Sequence, residues 1–93
     1  MNYIWDSKKR LSNLLKHGVE FSDAVLVFED DLAVTIEDSY QNEQRFITLG
    51  CDAHSRILVV VYTHKNDVIR IISARKANKT ENSVYKKGGR YEK

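Results

Sequence analysis

Three arginines in the second half of the chain, Arg45, Arg70 and Arg75, stand with Glu81, Tyr85 and, nearer the N-terminus, His17 as the side chains able to do chemistry. Such a set suits RNA cleavage without a metal. There the substrate's own 2′-hydroxyl attacks the adjacent phosphate, and the protein supplies a base, an acid and fixed positive charge for the developing phosphorane. Arginine fits the last role because its planar fork binds phosphate oxygens in pairs and stays charged. Histidine, glutamate or tyrosine can move the protons. Other chemistries lack their parts. The four glycines, at 18, 50, 88 and 89, have no phosphate-cradling spacing. Cys51 and His54 have ligand-like spacing, but two candidates do not make a metal site. No carboxylate cluster for a divalent ion is evident, so neither metal nor cofactor is expected. A single cysteine excludes an internal disulfide framework.

The elements that must position these residues are legible from periodicity. Tyr3 to Trp5 can make a brief first strand. Asp6 or Ser7 can cap a helix whose apolar stripe is Leu11, Leu14 and Leu15, ended by Gly18 in a left-handed conformation. Phe21, Ala24, Val25 and Phe28 have the spacing of a second helix starting near Ser22. The period then changes to two. Leu32, Val34 and Ile36 alternate with Ala33, Thr35 and Glu37, and further strands run over Arg45 to Cys51, Ile57 to Thr63 and Val68 to Arg75. The connections are too short for crossover helices, so these strands should pair as antiparallel hairpins. Asn78, with Glu81 three residues on, opens a last short helix that stops at Gly88-Gly89. The expectation is a single α+β domain over residues 1–93: an antiparallel sheet of about four strands, two N-terminal helices and a short C-terminal helix. Residues 86–93 can fray.

Charge is divided along the chain. The net charge is +2, yet residues 1–44 balance at −5 and residues 45–93 at +7. A basic half suits a phosphate-bearing partner, and it equally suits a solvated face that keeps a small protein soluble. The longest apolar run, Ile57 to Tyr62, is far short of the ~20 residues a membrane helix needs. No secretion signal is evident at Met1–Asp6, so the expected location is the cytoplasm, without membrane.

Several candidates have two readings each. Arg75 precedes the last helix, near Glu81 and Tyr85, and is the preferred phosphate-stabilising residue; the alternative is an ion pair with Glu81. Arg70 is five positions from Arg75, an odd offset that sends the two to opposite faces of an unbroken strand. It then shares a face with Val68, Ile72 and Ala74, as a structural residue or an RNA contact. Arg45 reaches substrate or pairs with Glu43. Tyr85 shares a helix face with Glu81, and it stacks on a base, donates a proton or simply packs. His17 caps the first helix, or carries protons beside Lys16. Lys16, Lys76 and Lys79 are candidate RNA contacts, as are Lys86, Lys87 and Arg90 in the general sense that cations attract phosphate.

The sequence also resembles a known family. Trp5-Asp6 with Lys8 or Lys9, Asn13, Lys16-His17-Gly18-Val19, and Phe21 with Ala24 and Phe28 resemble the opening of the BrnT family of bacterial type II toxins. The likeness continues through Glu43 to Arg45, Gly50, Leu58 to Thr63, Arg70-Ile71-Ile72-Ser73-Ala74-Arg75, Ala77, Glu81 and Tyr85. It covers roughly residues 3–85. The resemblance implies a RelE-like fold and a ribonuclease toxin that arrests growth. It also implies a neutralising BrnA-like antitoxin, a DNA-binding dimer that takes two toxins and alone contacts operator DNA. Three rivals remain beside it: a toxin of the same fold that binds a protein target, a non-catalytic nucleic-acid-binding module and, more distantly, a degenerate toxin kept as an antitoxin-binding scaffold.

Overall fold

Asp6 stands in extended conformation before helix α1 (Ser7–His17), and its carboxylate accepts from the Lys9 N–H at 3.0 Å. This satisfies one of the free donors of the first turn. Gly18 ends the helix at φ 68°, as its position suggested. In this computed structural model, which describes residues 1–88, the expected stripe of α1 does not face the core. Leu11 and Leu15 are 51% and 88% exposed, while Asn13 is buried. The reason lies in the sheet edge beneath the helix. The Ala74 N–H donates to Asn13 Oδ1 at 3.1 Å, and Asn13 Nδ2 donates to the carbonyls of Ala74 (2.7 Å) and Val19 (3.1 Å). A buried backbone group left dry costs about 1–3 kcal/mol, enough to turn this helix polar side in.

The second helix is shorter than expected. α2 (Phe21–Ala24) passes at once into a 3₁₀ segment (Val25–Glu29). Phe21, Ala24 and Val27 are fully buried at a spacing of three, which a helix of three residues per turn keeps in one line. Branching at Val25 and Val27 weakens the α alternative.

Strands β2 (Val34–Tyr40), β3 (Glu43–Cys51), β4 (Ile57–Lys65) and β5 (Val68–Lys76) pair antiparallel in chain order, as their short connections required. Leu32 is not among them: it lies in the preceding turn, 69% exposed, where its N–H donates to Asp30. The expected four-stranded antiparallel sheet is corrected by a fifth strand. β1 (Asn2–Ile4) pairs parallel with β5, giving a mixed sheet of order β1-β5-β4-β3-β2. A parallel partner needs a long connection, and the whole chain from α1 to β4 supplies it. Trp5, expected in that strand, lies past its end and meets the Phe21 ring edge-on at 6.0 Å.

The inner face of the sheet carries the core. Leu58, Val60, Tyr62, Ile69, Ile71 and Ala74 pack against Val19, Phe21, Ala24 and Val27. Helix α3 (Lys79–Lys86) is the last element of the described residues. Its cap is the expected reciprocal one, with Glu81 N–H donating to Asn78 and Asn78 N–H donating to Glu81, each at 2.8 Å. Gly88 has φ 64°, while Gly89, Arg90 and the rest of the expected tail lie outside the described residues. No helix among the described residues is long and apolar enough to cross a membrane.

Candidate functional site

Strand β5 contains the feature that assembles the site. Tyr62 pairs with Ile71 and Val61 with Ser73, so Ile72 is an extra residue with no partner on β4. This bulge resets the alternation. Arg70 lies opposite Thr63 and Arg75 opposite Val59, positions of the same parity on β4. Both arginines therefore occupy the outer face, which corrects the expectation that an odd offset separates them. Ala74 stays with the core, and Arg70 does not share its face. Arg45 joins the outer face through β3, where it shares parity with Ile47 and Leu49, the partners of Val61 and Val59. Arg70 and Arg75 stand roughly 13 Å apart along the strand, the rise of four β residues.

Two charged clusters result. At the end near α3, the Arg75 guanidinium donates from both terminal nitrogens to the two Glu81 oxygens, each at 2.8 Å. The bond from Arg75, opposed by desolvation and aided by the Asn78 N–H, holds the Glu81 carboxyl below its usual range. At the hairpin end, Glu43 accepts from Arg45 Nε at 3.2 Å and from Arg70 Nη2 at 3.1 Å. The Arg45 guanidinium carbon lies 4.7 Å from the centre of the Tyr40 ring. Between the clusters runs an apolar groove of about 290 Å³ floored by Ile47, Leu49, Val59 and Val61, with Val84 of α3 as part of its wall.

The remaining candidates are dispersed. Tyr85, one turn after Glu81, donates its hydroxyl to Asp30 Oδ2 at 2.6 Å. That bond, with desolvation and the Asp30 charge, pushes its phenol up to about 12. His17 is half-buried in the last turn of α1. It comes to the Arg75 end of the sheet, because Asn13 holds Ala74 and Arg56 Nη1 donates to the Gly18 carbonyl at 3.4 Å. No hydrogen bond among the described residues joins it to Arg75 or Glu81. Lys16 and Lys79 are exposed. Lys76, opposite Leu58, projects to the face away from Arg75. Cys51 and His54 turn to different partners, the Asp52 carbonyl and the Asp23 carboxylate. The sequence named Glu43 only as a possible partner of Arg45, a pairing the structure has, and did not single out Tyr40. The signal for Glu43 was its place two residues before Arg45, which on a strand means a shared face.

The family model described as the ribonuclease toxin BrnT of type II toxin–antitoxin systems matches residues 5–81. That span contains His17, Glu43 and all three arginines, and stops at Glu81. Among solved structures, the chain is similar to the crystal structure of the Brucella abortus ribonuclease toxin BrnT. The TM-score is 0.64 at 30% identity, covering 85% of this chain and 99% of that one. No curated protein sequence matches.

Proposed function

This chain belongs to the BrnT family of ribonuclease toxins of type II toxin–antitoxin systems, and on that premise we propose that it cleaves RNA without a metal ion, on the outer face of its sheet. One observation carries the reading: the β5 bulge puts Arg70 and Arg75 together on the face that carries Arg45, beside an apolar groove open to a bound strand. Arg75, with Arg45, stabilises the phosphorane. His17, Glu81 and Tyr85 are the proposed proton carriers. Glu81 and Tyr85 must first release Arg75 and Asp30 to act. Arg70, Lys16 and Lys79 hold the RNA backbone, and Lys76, which projects to the opposite face, drops out of that set. The neutralising partner is a BrnA-like antitoxin, dimeric and DNA-binding, taking two toxins, with operator DNA engaged only through it. The reaction belongs in the cytoplasm.

The test is a gel of total RNA, with and without ribosomes, incubated with antitoxin-free protein in EDTA, alongside Arg75→Ala and His17→Ala. RNA loss that survives EDTA and falls about 100-fold in Arg75→Ala is expected, the usual scale for removing one oxyanion-stabilising donor. Both variants cleaving like wild type, with folding verified, would reject the residue roles. Intact RNA in every lane, from a protein that still arrests growth, would turn the reading to a protein target.

A further inference from the structure

We infer that Glu43 is the general base of this cleavage and that Arg45 and Arg70 are the paired cations that hold the scissile phosphate beside it; this rests on the ribonuclease reading above but moves the reacting phosphate from Arg75 to the hairpin end, where Arg75 instead holds the strand further along the groove. The backbone position of Glu43 is set by the hairpin. Glu43 follows a two-residue turn in which Gln41 (φ 50°) and Asn42 (φ 63°) are both left-handed, the geometry that suits a tight hairpin. The register then sets Glu43 opposite Tyr40 on the arginine-bearing face. Each arginine is joined to the carboxylate by one nitrogen, Arg45 through Nε and Arg70 through Nη2. A guanidinium has five donors, so both keep several for phosphate oxygens.

Glu81, the glutamate of the other cluster, is already committed. It accepts two bonds from Arg75 and one from the Asn78 N–H, all at 2.8 Å, and its side chain is 24% exposed. Glu43 is 44% exposed, and its bonds to arginine are longer. A phosphate drawn to Arg45 and Arg70 brings its neighbouring 2′-hydroxyl to this carboxylate. The groups around it are Tyr40 and Asp38 from β2, Arg45 from β3, His64 and Lys65 from β4 and Arg70 from β5.

The step balances without a further reagent. A Glu43 oxygen takes the 2′-hydroxyl proton as the 2′-oxygen bonds to phosphorus and the bond from phosphorus to the 5′-oxygen breaks. The departing 5′-oxygen takes a proton from water, and the hydroxide so formed removes the one Glu43 holds. The products are a 2′,3′-cyclic phosphate and a 5′-hydroxyl.

The experiment uses an RNA oligonucleotide spanning a site that the wild-type protein cuts, with kcat and KM followed across pH for wild type, Glu43→Gln and Glu43→Asp. Glutamine keeps the shape and an acceptor for arginine but is not a base. The expected result is a kcat about 100-fold lower or less still, the usual contribution of general-base catalysis, with KM little changed. The wild-type fall in rate toward acid should vanish in Glu43→Gln, and Glu43→Asp should recover part of kcat. Thermal melting of the variants verifies folding. Glu43→Gln cleaving at the wild-type rate, keeping the acid limb, or raising KM alone overturns the assignment while leaving the ribonuclease reading intact. A wild-type protein that cuts no RNA overturns both.

Discussion

Asp30 shows how much one side chain can hold together here. It accepts from the Leu32 N–H, the Cys51 N–H and the Tyr85 hydroxyl, and so ties the end of the 3₁₀ segment to β3 and α3. Desolvation pushes its carboxyl upward, but the three donors outweigh that and hold it below the ordinary range. Tyr85 is the complement. Its raised folded value means that the contact stabilises fully below the phenol's ordinary pKa and is lost as pH rises through about 12. Tyr85→Phe should therefore remove a phenol that ionises at about 12 from an ultraviolet titration. It should also lower stability by about 1–2 kcal/mol in urea unfolding. An unchanged midpoint would mean that water replaces the bond without loss. The same variant in the RNA gel separates this anchoring role from the proposed proton transfer. At this scale the sequence was a partial guide: Arg75 and Glu81 were legible as a pair, whereas the Tyr85 partner lies 55 positions away and leaves no local trace.

Elements were legible where a single period ran unbroken. β2 alternates, β4 is a continuous apolar run, and the short polar connections called for hairpins from β2 to β5. The misreadings came where an element departs from its period. The bulge at Ile72 inserts one residue into an apolar run, and Ile71-Ile72 looks the same with or without it. The 3₁₀ segment reads as an α-helix because Phe21, Ala24, Val25 and Phe28 satisfy both periods for one turn. What decides is Gly50. A Cβ there would lie 2.6 Å from Val27 Cγ1 and 3.2 Å from the Val27 carbonyl oxygen, so the segment sits directly on the β3 backbone. Gly50→Ala should cost about 1–3 kcal/mol through this overpacking, measured by chemical denaturation. A neutral result would show that the 3₁₀ segment can lift away from β3.

Carboxylates bonded in the native state hold together the end of the molecule where α3 meets the β3–β4 connection. Asp52 has a fully buried side chain joined to Arg56 at 2.7 Å. Burial raises its pKa, but the bonds from the Arg56 side chain and from the Arg56 and His54 N–H groups, with the Arg56 charge, bring it below the usual value. Asp30 and Glu81 are depressed as well. A depressed folded pKa gives stability that is complete above the unfolded value and lost as pH falls through the folded one. The melting temperature should thus hold steady near neutrality and drop from about pH 4.5 downward, where unfolded carboxylates begin to take up protons. Asp52→Asn should be less stable near neutrality and show a shallower acid slope. A slope equal to that of wild type would place the acid sensitivity elsewhere.

Composition, period and turn chemistry were enough to determine an α+β chain with four antiparallel strands, a capped last helix and a basic second half. Those properties depend on neighbours within a few residues, and local sterics and hydrogen bonding write them directly into the order of residue types. Only the tertiary structure decided that β1 joins β5 in parallel, that Asn13 rather than the leucine stripe faces inward, and that Arg45, Arg70 and Arg75 share one face with Glu43. Each of these answers a demand made far away in the chain. The Ala74 backbone groups need partners, and a bulge is revealed only by the strand beside it.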